Sequence, residues 1–269
     1  VGERRRSVSA HLTLSVSTPT EVVAQVAVAE LTPGSVEQLV CSLDGIPVEP
    51  VEVPMPGEGR VHHMSVGPGL LDIRYDATVV GDAAVPIVTT ADEIVYLRPS
   101  RYVESDHLSA VAAAEFAGID DKRELLAAVS SWVGSHLMYV AGSSRPTDGA
   151  IETMLQRQGV CRDFAHLVAA LLRGLDVPAR IAAVYAPGLS PMDFHAVAEA
   201  AIDGRWYAVD ATLLAPRSSL VRIGSGRDAA DTAFLSTYSG HAELMNIEVL
   251  AVVDGDLPRD DVHELVQLR

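Results

Sequence analysis

The hydrophobic period of this chain changes once, at Pro99, and that change restricts the possible folds more than any compositional figure. Residues 7 to about 98 alternate in period two. Val8, Ala10, Leu12, Leu14 and Val16 share one face of a first run, and Val22, Ala24, Val26 and Val28 share one face of a second, Glu21 to Glu30. A third run, Leu70 to Val80, follows Gly67-Pro68-Gly69. Pro/Gly clusters at 33–34, 54–59 and 67–69 separate these strands. No helical period competes with them. The pattern predicts a small antiparallel β-sandwich over residues 1–98.

Beyond Pro99 helical spacing takes over. After Asp120-Asp121, the residues Leu125, Leu126, Val129, Trp132, Val133 and Leu137 recur at three and four. Thr147-Asp148 can cap a short helix carrying Ile151, Met154 and Leu155. A further helix begins near Cys161, carries Phe164, Leu167, Val168, Leu171, Leu172 and Leu175 on one stripe, and is ended by Gly174 and Pro178. Strand-like stretches follow at 179–185, 195–202, 205–210, 218–223 and 244–253. Helices followed by an antiparallel sheet predict an α+β unit over 99–269, packed closely on the sandwich because no low-complexity linker separates the two.

With 269 residues, 48% of them hydrophobic, the chain supplies a buried core easily. A formal charge of −16 makes nucleic acid an unsuitable partner. Lys122 is the only lysine, and with the abundant alanine this matches a high-GC bacterial coding bias. Two cysteines, Cys41 and Cys161, are too few for a disulfide-stapled domain. Cys41 lies in a strand pattern and reads as a small buried residue. No apolar run approaches the roughly 20 residues of a membrane span. The basic N-terminus lacks an apolar stretch after it, so the expected location is cytoplasmic.

The chemistry concentrates in three short segments: Gly159-Val160-Cys161-Arg162-Asp163-Phe164, Asp193-Phe194-His195-Ala196 and Trp206-Tyr207-Ala208-Val209-Asp210. A thiol at the start of a helix meets unpaired N–H groups that favour its ionised form, and a nearby histidine adds to this. The same N–H groups can hold an oxyanion. Asp203-Gly204 is a strong two-residue type I′ turn signal. If it forms the loop, Ile202 pairs with Arg205 and Asp210 lies opposite Val197. His195 then shares a sheet face with Asp210 as its diagonal neighbour, within reach of a hydrogen bond. A slip of one residue would separate them. Cys161, His195 and Asp210 therefore read as nucleophile, base and orienting carboxylate.

The chain resembles the transglutaminase-like superfamily, in particular its bacterial cysteine-protease-like members with an N-terminal β-domain. Trp132 to Tyr139, Gly142-Ser143-Ser144 and Thr147 resemble the run-up to the nucleophile. Arg157 to His166 resemble the nucleophile block, Asp193 to Ala196 the histidine block, and Gly204 to Thr212 the aspartate block. Gly226 to Asp231 resemble the segment that follows. The likeness is specific over about 120 to 240 and loose before that. It implies a papain-like fold for 99–269, Cys161 as nucleophile, His195 as base and acid, and Asp210 as orienter. Val197 stands where members often carry an aromatic residue, so the cover over the His–Asp pair is expected to be thin or to come from elsewhere.

Other candidates rank lower. By helical spacing His166 points away from Cys161 and is expected to pack behind the site. Asp163 reads as a helix-start carboxylate satisfying N–H groups, and Gln158 as a weak candidate for an oxyanion donor. His62-His63 reads as a solvated loop pair. His263-Glu264 lacks the second histidine of a metalloprotease motif, because Gln267 stands there. The spacings match no common zinc pattern, so neither metal nor cofactor is expected. The sequence reads as a thiol hydrolase of amide or isopeptide bonds acting on a peptide or protein. An acyl-transferase using an amine in place of water, and a non-catalytic peptide-binding scaffold, are the alternatives.

Overall fold

A computed structural model describes residues 4–269 as an α+β structure with two packed antiparallel sheets beside a helix-backed third. Arg5–Val16 is the spine of the first sheet. Its Val8, Ala10, Leu12, Leu14 and Val16 are buried, as the period of two demands. Gly69–Val80 pairs with it on one side, and Val36–Leu43 lies beyond. In the second sheet Thr20–Ala24 pairs with Arg60–Val66, and Val51–Pro54 lies outside that. The inner faces meet around Leu12, Leu14, Val22, Met64, Leu71 and Ile73.

The division at residue 98 does not describe this sandwich. Ala242–Val253 pairs along the whole of Arg5–Val16 and forms an edge of the first sheet. Leu235–Tyr238 pairs with Thr20–Ala24 and forms an edge of the second. Local alternation marks a segment as a strand, but it carries no information about which strand it will meet. The second strand also ends at Ala24 rather than Glu30. Residues 25–28 nevertheless stay buried, because tyrosines from elsewhere take their backbone groups. Val28 N–H donates to Tyr75 Oη at 3.0 Å, and Tyr185 Oη donates to Val26 O at 2.6 Å. His62 and His63 are not in a loop: both lie on Arg60–Val66, His62 is buried, and His63 pairs with Glu21 at 2.7 Å.

The third sheet runs in the order Arg205–Val209, Phe194–Ile202, Ala179–Tyr185, Val221–Gly226. Helix Cys161–Arg173 packs against it and is enclosed by Ser105–Glu115, Lys122–His136 and Ala150–Gln156. Every residue from Asp163 to Arg173 is buried, so the expected single stripe understates its environment. The charge of Arg173 is tolerated because it donates to the Ala179, Arg98 and Arg227 carbonyls. Asp121 caps Lys122–His136 by accepting from Arg123 N–H, as the sequence suggests. Ala150–Gln156 starts at Gly149, not Thr147-Asp148; Glu152 accepts from Gly149 N–H and Glu104 from Ala150 N–H. Helix Ser105–Glu115 has no strong signal because Leu108 and Ala112 are its only buried apolar residues.

The sandwich and the helical unit share a core, since Tyr185, Val221 and Ile223 pack with the sandwich interior. Gly59 also bridges Gly224 across the junction. Residues 1–98 expressed alone should therefore fail to show a cooperative thermal transition by circular dichroism. Both of their sheets would lose an edge strand and its buried apolar area, at about 1.5–3 kcal/mol per large side chain uncovered. A sharp transition from that fragment would show that the strands from 235–253 are dispensable.

Candidate active site

Cys161 is the first residue of its helix, and Val160, in extended conformation, precedes it. Asp163 fixes this start. Its Oδ2 accepts from Val160 N–H at 2.8 Å, its Oδ1 accepts from Ser144 Oγ at 2.8 Å, and Arg162 pairs with it at 3.2 Å. The carboxylate is thus the expected helix-start acceptor. Gly159 is required for space: a Cβ there would lie 2.7 Å from the Asp163 Cβ. The sharp turn itself falls at Arg157, whose φ is 54°. A short parallel pairing of Met138–Tyr139 with Gln158–Gly159 carries Tyr139 to Cys161. Gln158 is exposed.

His195 and Asp210 meet as the hairpin register predicts. Ile202 pairs with Arg205 and Ala198 with Val209, with Asp203 and Gly204 both at positive φ. His195 Nε2 and Asp210 Oδ2 are 2.8 Å apart, with their side chains 0% and 2% exposed. Thr212 donates from both N–H and Oγ1 to Asp210 Oδ1, so both carboxylate oxygens are held. The pair is sealed despite the aliphatic Val197, which is itself buried. His195 Nδ1 has no hydrogen-bond partner among the described residues, and Cys161 Sγ lies 4.0 Å from the Phe194 carbonyl.

Burial alone would lower the His195 pKa, but the Asp210 charge and hydrogen bond, joined by the Cys161 thiol, hold the imidazole up to about 10. Burial would likewise raise Asp210; the charge and hydrogen bond of His195, and the Thr212 bonds, keep it below the usual carboxylate value. Tyr139 completes the surroundings. Burial, and then the Cys161 charge, push its phenol up to about 12, so its hydroxyl stays protonated against the sulfur. Its part in the site was not legible beforehand, because a tyrosine 22 positions upstream has no spacing rule to a nucleophile.

His166 sits behind the site, as expected: it is fully buried, stacks on Tyr102 at 5.5 Å and accepts from Ala229 N–H. Burial pushes its pKa down to about 3, so it is a neutral packing and accepting group. Cys41 is buried mid-strand, and burial pushes its thiol up to about 11. Cys161 and His195 open onto a cleft of about 680 Å³ between the third sheet and the sandwich. Asp193, Phe194 and Arg162 border it from one side, and Phe234 and Gln25 from the other.

Comparison with known proteins places the fold in a family. The sequence profile of the transglutaminase-like superfamily matches residues 110–211, which include all three site residues. The crystal structure of a Cytophaga hutchinsonii protein proposed to be a cysteine protease superposes with a TM-score of 0.88. It is 32% identical, covering 99% of this chain and 97% of that one. The uncharacterized protein ML0607 of Mycobacterium leprae is 27% identical over 170 residues, 58% of this chain and 59% of that protein.

Two measurements check the electrostatics. Iodoacetamide at neutral pH should alkylate Cys161 and spare Cys41, and His195→Ala should slow the Cys161 reaction by about tenfold or more. The buried pair also sets a pH dependence of stability. The His195 contribution, from a raised pKa, is complete below about pH 6.5 and is lost as pH rises towards 10. The Asp210 contribution, from a lowered pKa, is present above its ordinary value and is lost in acid. Asp210→Asn, which leaves a buried histidine without its counter-charge, should cost about 3–5 kcal/mol in mildly acidic solution. Its deficit in Tm against the wild type should shrink towards pH 10. A deficit that does not vary with pH would contradict the charged pair.

Proposed function

Because this chain belongs to the transglutaminase-like superfamily and holds a cysteine and a sealed His–Asp pair at one cleft, we propose that it is a cysteine hydrolase of peptide or isopeptide bonds. The observation that carries this is the 2.8 Å contact of buried His195 with Asp210 beside Cys161. Asp210 fixes the ring orientation and stabilises the imidazolium, and His195 Nδ1 is left free for the thiol and the leaving group.

In this mechanism Cys161, its proton passed to His195, attacks the scissile carbonyl carbon through sulfur, forming a C–S bond, and the carbonyl π electron pair moves to oxygen. The N–H groups at the start of the 161–173 helix and the Tyr139 hydroxyl are the donors this reading assigns to that oxyanion. As the tetrahedral species collapses the C–N bond breaks, and His195 gives its proton to the departing amine. A thioester on Cys161 remains. Water, losing a proton to His195, adds to it and releases the acid and the thiol. A peptide or protein substrate suits a cleft of about 680 Å³ that runs between the third sheet and the sandwich.

A fluorogenic peptide library, run on the full chain after active-site titration with a thiol probe, tests this. Cys161→Ala should abolish turnover, and His195→Ala and Asp210→Asn should each lower kcat by roughly 10³-fold or more. Turnover that survives Cys161→Ala would overturn the reading. Added amine separates the acyl-transferase alternative: amide product formed in preference to acid would assign the chain to transfer. No turnover, and a Cys161 that resists the probe, would leave the scaffold reading.

A further inference from the structure

Asp210 stands beyond the rungs that hold its strand. The ladder between Phe194–Ile202 and Arg205–Val209 ends at Ala198 and Val209, so no strand pairing fixes the residue that follows. The turn at Asp203-Gly204 decides which face Asp210 is on; other contacts must decide how it meets His195. They lie on the outer edge of Arg205–Val209. Ala208 N–H donates to the Val266 carbonyl at 2.8 Å, and the Ala208 carbonyl accepts from Arg217 Nη1 at 3.0 Å. Ser130 Oγ donates to the Asp210 carbonyl at 3.3 Å.

Arg217 is the centre of this grip. It is buried and lies nine residues after Ala208, so its bond to that carbonyl closes a loop containing Asp210 and Thr212. A buried guanidinium needs a counter-charge. Asp260 supplies it, from the segment that follows strand Ala242–Val253. Its Oδ1 accepts from Arg217 Nη2 at 2.8 Å, and its Oδ2 accepts from Nε at 3.0 Å and from the Arg217 backbone N–H at 2.9 Å. Nη2 also donates to the Asp261 carbonyl. Beyond Asp260 the same segment meets Ala208 through Val266 and buries Leu268 in one apolar cluster with Val197 and Ala208. Leu268 thus adds cover on the side where Val197 stands in place of an aromatic residue.

We propose that Arg217 and Asp260 are positioning residues, which strap residues 260–268 to the outer edge of Arg205–Val209 and so set the alignment of Asp210 with His195. This rests on the reading of Cys161, His195 and Asp210 as the reacting groups of a hydrolase. Neither Arg217 nor Asp260 borders the cleft, so both act through Asp210 and not on substrate. The task requires arginine. Its planar group turns Nε and Nη2 to the carboxylate and Nη1 to the Ala208 carbonyl at the same time, a span that a lysine ammonium does not cover. Small displacements matter here, because a shift of about 1 Å in a reacting group can cost about 10²-fold in rate.

Two variants of the full chain test this: Asp260→Asn, which keeps the side-chain shape, and Arg217→Lys, which keeps the charge. In each, the downfield proton resonance of the His195–Asp210 hydrogen bond, identified by its loss in His195→Ala, should move upfield or broaden away. Iodoacetamide alkylation of Cys161 should slow about tenfold at neutral pH, and its pH profile should move to higher pH. On a peptide that the wild type cleaves, kcat should fall roughly 10- to 100-fold with KM unchanged. The double variant should lose no more than the worse single one, because both residues act through one contact. Arg60→Lys, which weakens an ion pair within the sandwich, controls for lost stability and should leave the resonance and the profile at wild type. A further readout needs no variant. In the wild type, the Ala208 amide, bonded to Val266, and the Thr212 amide, bonded to Asp210, should undergo hydrogen exchange together and faster than the Phe194–Ile202 ladder. Separate exchange of those two amides, or a wild-type resonance and profile in folded Asp260→Asn, would overturn the positioning. Peptide turnover by the wild type with unmoved resonances in both variants would overturn the positioning and leave the hydrolase; altered resonances and alkylation without any turnover by the wild type would do the reverse.

Discussion

A buried ion network fastens the sandwich to the third sheet. Glu199 is fully buried on strand Phe194–Ile202, four residues from His195, and takes Arg180 at 2.9 Å and Arg222 at 2.6 Å. Arg180 continues to Glu58 at 2.8 Å, at the tip of the turn before strand Arg60–Val66. Burial would raise the Glu199 pKa, but the two guanidinium groups overcome it and hold the carboxyl down at about 2. Arg180 also lies 4.1 Å over the Trp206 ring, where the π-face supports its charge. Pairs of this kind offset their own desolvation and add little stability beyond that. Their effect is positional: breaking any link strands a buried charge, so the turn at 57–59 has one place to sit against strand Val221–Gly226. Ser225 bonding to the Gly57 carbonyl and Glu58 reinforces that seat.

Two carboxylates approach the nucleophile, and the fold treats them differently. Asp210 is given one hydrogen-bond route to His195 and two to Thr212, so its charge acts on the imidazole. Asp163 is surrounded by donors from Val160, Ser144 and Arg162, so its charge is spent on the helix start. A carboxylate beside a thiol would oppose its ionisation. Committing Asp163 to three donors lets it order the loop from Ser144 to Val160 without competing with His195. Tyr139, protonated, adds a neutral donor to the same wall.

The parts that sequence made legible are those governed by local rules. Asp203-Gly204 determines a turn type, the turn type determines the register, and the register alone places His195 beside Asp210. The helix start at Cys161 and the burial of Cys41 follow in the same way from spacing and pattern. What escaped depends on distant partners. Strand Ala242–Val253 reads as a strand, but nothing local says that it returns to pair with Arg5–Val16. His62 and His63 look like loop residues because two adjacent histidines lack an apolar signature, yet the neighbouring sheet buries one of them. Tyr139 is a single residue whose contact with Cys161 appears only when the fold brings two segments together.

The return of the last strands also explains why the sandwich cannot be treated as an appendage. Leu235–Tyr238 is an edge of the second sheet, and Phe234 just before it borders the cleft. The segment that leaves the third sheet at Gly226 passes the helix turn Ala229–Thr232, where Ala229 N–H meets His166, and then joins the sandwich. A single stretch of about a dozen residues therefore leads from the buried face behind the nucleophile, along the wall of the cleft, and into the other unit. Substrate lying in that cleft would touch both units at once. Cys161, His195 and Asp210 come from the α+β half, and Gln25, Leu235, Ser236 and Tyr238 of the opposite wall from the sandwich. The opposite wall of the cleft thus lies outside the hairpin whose register pairs His195 with Asp210.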